Sequence, residues 1–148
     1  MALRDWSASG ALRRHVTSAR EIQDLIRVVE RDLKDATIPT VSTDRRFATA
    51  YNAALQLATI VLHAGGFRTS GAAHHWVTIR ALPEILGPSA RNRADFLDVC
   101  RSKRNSADYD RAGGITEQEV EDLLLEVREF HQDVVSWLRA HHPRLSRS

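Results

Sequence analysis

A chain of 148 residues has room for one domain with a sizeable core. With 43% hydrophobic residues, 27% charged residues and a single cysteine, it is neither a disordered polymer nor a disulfide scaffold. The net charge of +2 is too small to name a polyanionic partner by itself. Such a partner must be read from where the arginines cluster, since Lys34 and Lys103 are the only lysines.

Met1 to Arg14 carries arginines but no apolar run, so no secretory leader is expected there. Residues 1–17 read as an arm or short helix. Ser18 and Glu21 have capping-box spacing, and Ile22, Leu25, Ile26, Val29 and Leu33 then recur on one helical face. Ser42 or Thr43 caps a second helix through Phe47, Tyr51, Ala54, Leu55, Ala58, Val61 and Leu62, which stops at Gly65 and Gly66. Its apolar stretch from Ala53 to Ala64 is broken by Gln56 and His63. It falls short of the roughly 20 residues a membrane span needs, so no membrane partner is expected. A lone cysteine fits a reducing compartment, and a cytoplasmic location is expected.

Ala72 to Leu86 reads as a third helix, with Trp76, Ile79, Leu82, Ile85 and Leu86 on its apolar side and a kink at Pro83. Gly87 and Pro88 close it, and Ser89 can cap a fourth helix carrying Phe96, Leu97 and Cys100. After Gly113 and Gly114, Thr116 and Glu119 form a second capping box. A long helix follows, with Val120, Leu124, Val127, His131, Val134 and Leu138 in heptad-like register and Leu123, Phe130 and Trp137 beside them. That stripe is wide enough either for a dimer seam or for the inside of a bundle. Residues 141–148 are a polar tail. No strand alternation and no repeat stands out. The expected fold is all-α: an antiparallel four- to five-helix bundle over residues 18–140.

The segment from Arg101 to Asp110 is unusual. On a helix, Arg101, Arg104, Asn105, Asp108 and Tyr109 share the face that normally carries core leucines. Two guanidinium groups on one ridge can grip a phosphate. The competing reading is a solvated face, or a buried salt-bridge network, with an Arg104–Asp108 pair. The seven histidines show no metal-ligand spacing, so neither a metal nor another cofactor is expected. His131 lies in the apolar stripe, and His63 ends a helix, where a cation is favoured. No phosphate-cradling glycine loop or serine nucleophile elbow is present, and Cys100 sits among apolar neighbours, where a thiol is inert.

From Arg104 to Asp110 the chain resembles the HEPN superfamily, whose signature is an arginine, a polar residue, a few variable positions and a histidine. Arg104 and Asn105 match the first two. Ala73 to Trp76 before an Ile/Leu-rich turn, the passage through Asp110 to Ile115 and Thr116, and the long last helix agree over about residues 18–140. One departure matters: Tyr109 stands where the family usually has histidine. The resemblance implies a toxin-type, metal-independent endoribonuclease. Arg104, Asn105 and Tyr109 would be catalytic, Arg101 and Asp108 would bind RNA or phosphate, and two subunits would pair their motifs in a homodimer. It also implies a nucleotidyltransferase-like antitoxin as a possible partner, with Tyr109 a candidate acceptor of modification. Cleavage needs a base for the 2′-OH proton, an acid for the leaving oxygen and positive charge on the phosphate. With a reference pKa of about 10, tyrosine is a poor base near neutrality. The alternative is therefore a non-catalytic module that binds RNA, a nucleotide or the antitoxin through the same ridge.

Overall fold

The computed structural model of the chain describes residues 2–70, 75–109 and 114–146, with Ala2 and residues 106–109 described by backbone alone. Its elements are α1 (Ala2–Ala8), β1 (Leu12–Arg14), α2 (Ala19–Asp35), α3 (Thr43–Ala64), β2 (Phe67–Thr69), α4 (His75–Arg80), α5 (Leu82–Leu86), a 3₁₀ turn (Pro88–Ala90), α6 (Arg91–Tyr109) and α7 (Glu117–His141). The long helices α2, α3, α6 and α7 make the helical bundle that the periodicity predicts.

The α3 helix is central, packed against α2, α6 and α7, with α4 and α5 on it as well. Most of its circumference is apolar and buried, with Asn52, Gln56, Thr59 and His63 forming a partly exposed polar stripe. Ala50, Ala53, Ala54 and Ala58 are all buried, and their small side chains let the neighbouring helices approach. Phe47, Tyr51, Leu57, Ile60 and Val61 fill the larger spaces, against Ile22 and Val29 of α2 and Leu97 of α6. The α7 stripe closes the same core: Val120, Leu123, Leu124, Val127, Phe130, Val134 and Leu138 are all buried within the single chain. Of the two uses the sequence allows for this stripe, the bundle interior takes these residues.

The starts of α2 and α7 follow the expected cap chemistry, with a deviation at α2. At α7, the Thr116 hydroxyl accepts from the Glu119 N–H at 3.1 Å, and the Thr116 N–H donates to Glu119 Oε1 at 3.0 Å. This is a complete capping box. Lys103 Nζ, 2.7 Å from Glu119 Oε2, ties it to α6. Thr116→Ala is expected to cost about 1 kcal/mol, read as a lower urea midpoint with an unchanged slope. At α2, Ser18 accepts from the Glu21 N–H at 3.1 Å. The Glu21 carboxylate, however, is engaged by Thr17 and His15.

Three local expectations are corrected. The segment expected as one kinked helix from Ala72 to Leu86 is two short helices, α4 and α5, separated at Ala81, with Pro83 in the first turn of α5. Residues 72–74 lie outside the described residues. Trp76 does not face the core; it is 46% exposed and meets Trp6 of α1 edge to face, with ring centroids 6.0 Å apart. The approach to α6 is the 3₁₀ turn at Pro88–Ala90, with Gly87 rather than Ser89 at its N-cap.

A short antiparallel pair also exists, with Leu12 opposite Thr69, Arg13 opposite Arg68 and Arg14 opposite Phe67. Gly66, at φ 95°, makes the turn from α3 into β2, a conformation that suits glycine. Leu12 is buried with Leu62, Val77 and Ala81, and Leu3 and Trp6 pack on them, so the N-terminal segment is part of the fold. Among the described residues, no helix is long and apolar enough to cross a membrane.

Candidate functional site

The site grows from the middle of α6, where Leu97 and Cys100 point into the core and the next positions reach its border. Burial pushes the Cys100 thiol up to about 12, so it is protonated and inert near neutrality. Beside it, Arg101 and Arg104 are half-buried and one helical turn apart.

Arg101 is oriented by Asp98. Asp98 Oδ1 accepts from Arg101 Nε at 3.0 Å, and Oδ2 accepts from an Arg80 terminal nitrogen, also at 3.0 Å. Arg80 reaches Asp95 as well, at 2.5 Å, which pins α4 to α6. Burial works against the Asp98 charge, but the two guanidinium groups outweigh it and hold the carboxyl below its ordinary range. Asp98 accepts the Nε–H of Arg101, and a guanidinium has five donors in all, so a ligand can still be held at its terminal nitrogens.

Arg104 lies over Tyr51 of α3, with its guanidinium carbon 5.8 Å from the ring centroid. The Tyr51 ring is 1% exposed, and its buried hydroxyl has no hydrogen-bond partner among the described residues. Burial pushes this phenol up to about 12 against the pull of Arg101 and Arg104. Tyr51 is thus a neutral platform at working pH.

His75, at the start of α4, also meets the Tyr51 ring, with ring centroids 6.4 Å apart. Its pKa is lowered from the ordinary imidazole value, first by burial and then by the positive charges of Arg104 and Arg101. A neutral imidazole next to two guanidinium groups is chemically informative. Such an arrangement is chemically able to attract a phosphodiester, while the same charges disfavour protonation of the imidazole.

The sequence-derived site residues divide as follows. Arg101 and Arg104 come together, and Asn105 is exposed next to them. Asp108 and Tyr109 occupy the last turn of α6, but their side chains lie outside the described residues. His75 and Tyr51 join the cluster without having been singled out. The signal for His75 was the adjacent histidine pair before a hydrophobic run; the signal for Tyr51 was lost in the core pattern of α3.

A cleft of about 510 Å³ is bordered by Arg93, Glu126, Glu129, Asp133 and Trp137 of α6 and α7. There Arg93 already donates to Glu126 at 2.6 Å and to Asp133 at 2.9 Å, and it lies over the Phe130 ring. Its charge is matched by carboxylates, which makes it an interhelix tie. The Arg101–Arg104–His75 cluster differs in bringing an imidazole near its guanidinium groups, with Arg101 held in place by Asp98.

Residues 39–135, well over half of the chain, match the family model described as SAV_6107-like HEPN. No curated protein and no solved structure matches the chain. At the level of the superfamily, the match supports a nuclease- or RNA-related, or nucleotide-binding, module.

Proposed function

Since the chain belongs to the HEPN family, we propose that it is a metal-independent endoribonuclease of toxin type, working at the Arg101–Arg104–His75 cluster. The observation that carries this reading is the meeting of His75 and Arg104 on the Tyr51 ring, one helical turn from Arg101; burial and the two arginine charges also lower the His75 pKa. His75 offers the base that Tyr109 cannot supply. His75 takes the 2′-OH proton, the 2′ oxygen attacks phosphorus, and the P–O5′ bond breaks. Arg104 and Arg101 neutralise the charge that accumulates on the phosphoryl oxygens, and Asn105 hydrogen-bonds the phosphate or positions the strand. The departing 5′ oxygen takes its proton from solvent or from a group on a second subunit. A two-fold dimer, which would double the guanidinium count in one cleft, belongs to the proposal, as does a nucleotidyltransferase-like antitoxin partner.

The test is incubation of single-stranded and structured RNA with the purified chain in EDTA, with analysis of the new ends. The expected products carry 2′,3′-cyclic phosphate and 5′-hydroxyl termini. If RNA binds in a salt-dependent way and is not cut by a folded protein, the catalytic part of the reading fails and the non-catalytic module replaces it.

A further inference from the structure

A second cluster lies apart from the arginine ridge and shares no residue with it. His15 follows β1, Glu21 is in the first turn of α2, and His63 is in the last turn of α3. His15 Nε2 is 2.7 Å from Glu21 Oε1, and His63 Nδ1 is 3.3 Å from the same oxygen. The two imidazole rings are 4.5 Å apart between centroids. One ligand atom from each residue lies within 4.8 Å of the other two. The Thr17 hydroxyl donates to the same Glu21 oxygen at 2.5 Å.

As a hydrogen-bond network this is poorly balanced. Three groups converge on one carboxylate oxygen, and one of them, the buried His63 Nδ1 at 3.3 Å, makes no hydrogen bond to it or to any other described residue. As a ligand set it is well matched. We propose that His15 Nε2, the Glu21 carboxylate and His63 Nδ1 bind one divalent ion of the zinc class. Two imidazole nitrogens and one carboxylate oxygen are the donors such ions take, and three protein ligands leave a fourth position open. Tetrahedral bonds of about 2.0–2.1 Å set ligand atoms roughly 3.3 Å apart. The His63–Glu21 spacing already fits, and the His15–Glu21 spacing needs to widen by about half an ångström. Thr17 would then hold the carboxylate from behind, as outer hydrogen bonds do at metal sites.

A cleft of about 350 Å³ borders the cluster and is lined by His15, His63, His141 and His142. Water or one of the two C-terminal histidines can occupy the fourth position from there. Because the three ligands come from separate elements, the ion ties the N-terminal segment to the ends of α2 and α3, and its binding stabilises the fold.

The full chain, stripped with EDTA and dialysed, is titrated with Co²⁺ and then with Zn²⁺ against a chromogenic chelator. The expected result is one equivalent with the visible absorption of tetrahedral cobalt, displaced by zinc, and a melting temperature that rises with zinc. His15→Gln and Glu21→Gln are each expected to weaken binding by at least about tenfold and to abolish the thermal shift. His63→Gln should do the same. If that buried change unfolds the chain, His15→Gln decides the matter, because His15 lies in a link and not in a helix. His75→Asn is expected to leave binding unchanged. Binding that survives His141→Ala/His142→Ala supports the three-residue set. No stoichiometric uptake by the wild-type chain overturns the proposal. So does binding that persists in His15→Gln and Glu21→Gln.

Discussion

His75→Asn is expected to slow RNA cleavage by about 10²–10⁴-fold, the usual contribution of a positioned general base. Arg104→Ala is expected to cost at least about 10²-fold, since it removes a donor from the charge that builds on the phosphate. Both side chains border the core without filling it, so circular dichroism should show the helices intact. The pH profile separates a base from a merely structural histidine. Cleavage should rise with pH as His75 loses its proton and level off above its pKa. Burial, Arg104 and Arg101 all hold that pKa below the ordinary value of 6.5. The acidic limb is therefore expected below 6.5 in the wild-type protein. Arg101→Ala removes one of the charges that disfavour imidazolium, so its limb should move to higher pH while some activity remains. An acidic limb unchanged in both arginine variants would mean that His75 is not the titrating base. Full activity in His75→Asn would remove it from the mechanism altogether.

The helices and most of their ends were legible because periodicity and capping are local. Ser18, Ser42 and Thr116 cap where expected, since each hydroxyl needs only a backbone N–H three residues on. The arginine pair was legible for the same reason: Arg101 and Arg104 are one turn apart on a single helix. What failed depends on elements far apart in sequence. β1 and β2 are three residues each, too short for alternation to register, and they are paired across the whole of α2 and α3. Trp76 fits the apolar stripe of α4, but the contact that it makes is with Trp6 at the rim, not with the interior. His75 and Arg104 share the Tyr51 ring because α4 packs against α6, where Arg80 is bound to Asp95 and Asp98. His15 and His63 show no ligand spacing because the β1–β2 pair, not sequence proximity, brings them together. Spacing within one segment carries no trace of such meetings, so the arginines of the first cluster are legible in the sequence and the histidines of both are not.

Arg46→Leu is expected to cost about 2–4 kcal/mol of stability, with the helical content of the folded state retained. Arg46 lies in the first turns of α3. In the structure it is 5% exposed. Its Nε donates to the Ala36 carbonyl at the end of α2 at 2.8 Å, and its terminal nitrogens reach Glu117 and Glu121 at the start of α7. A cation near the N-terminus of α3 opposes that helix's dipole, whereas Glu117 favours the dipole of α7. The arginine is retained by what it connects: the end of α2, the start of α3 and the start of α7. Leucine fills much of the volume but leaves the Ala36 carbonyl without its donor, a loss of about 1–3 kcal/mol. The carboxylates behave differently. Glu117 and Glu121 are 62% and 53% exposed, so water can replace the guanidinium around them. For that reason the cost stays below that of breaking a fully buried pair. Glu117→Gln/Glu121→Gln removes the counter-charge of the buried guanidinium but keeps side-chain oxygens to accept from it, and is expected to cost less than Arg46→Leu. Urea unfolding of the two variants checks the ordering. If the glutamine pair costs as much as Arg46→Leu, the ion pairs hold the junction; if it costs far less, the single bond to the α2 carbonyl and the packing of the buried side chain hold it.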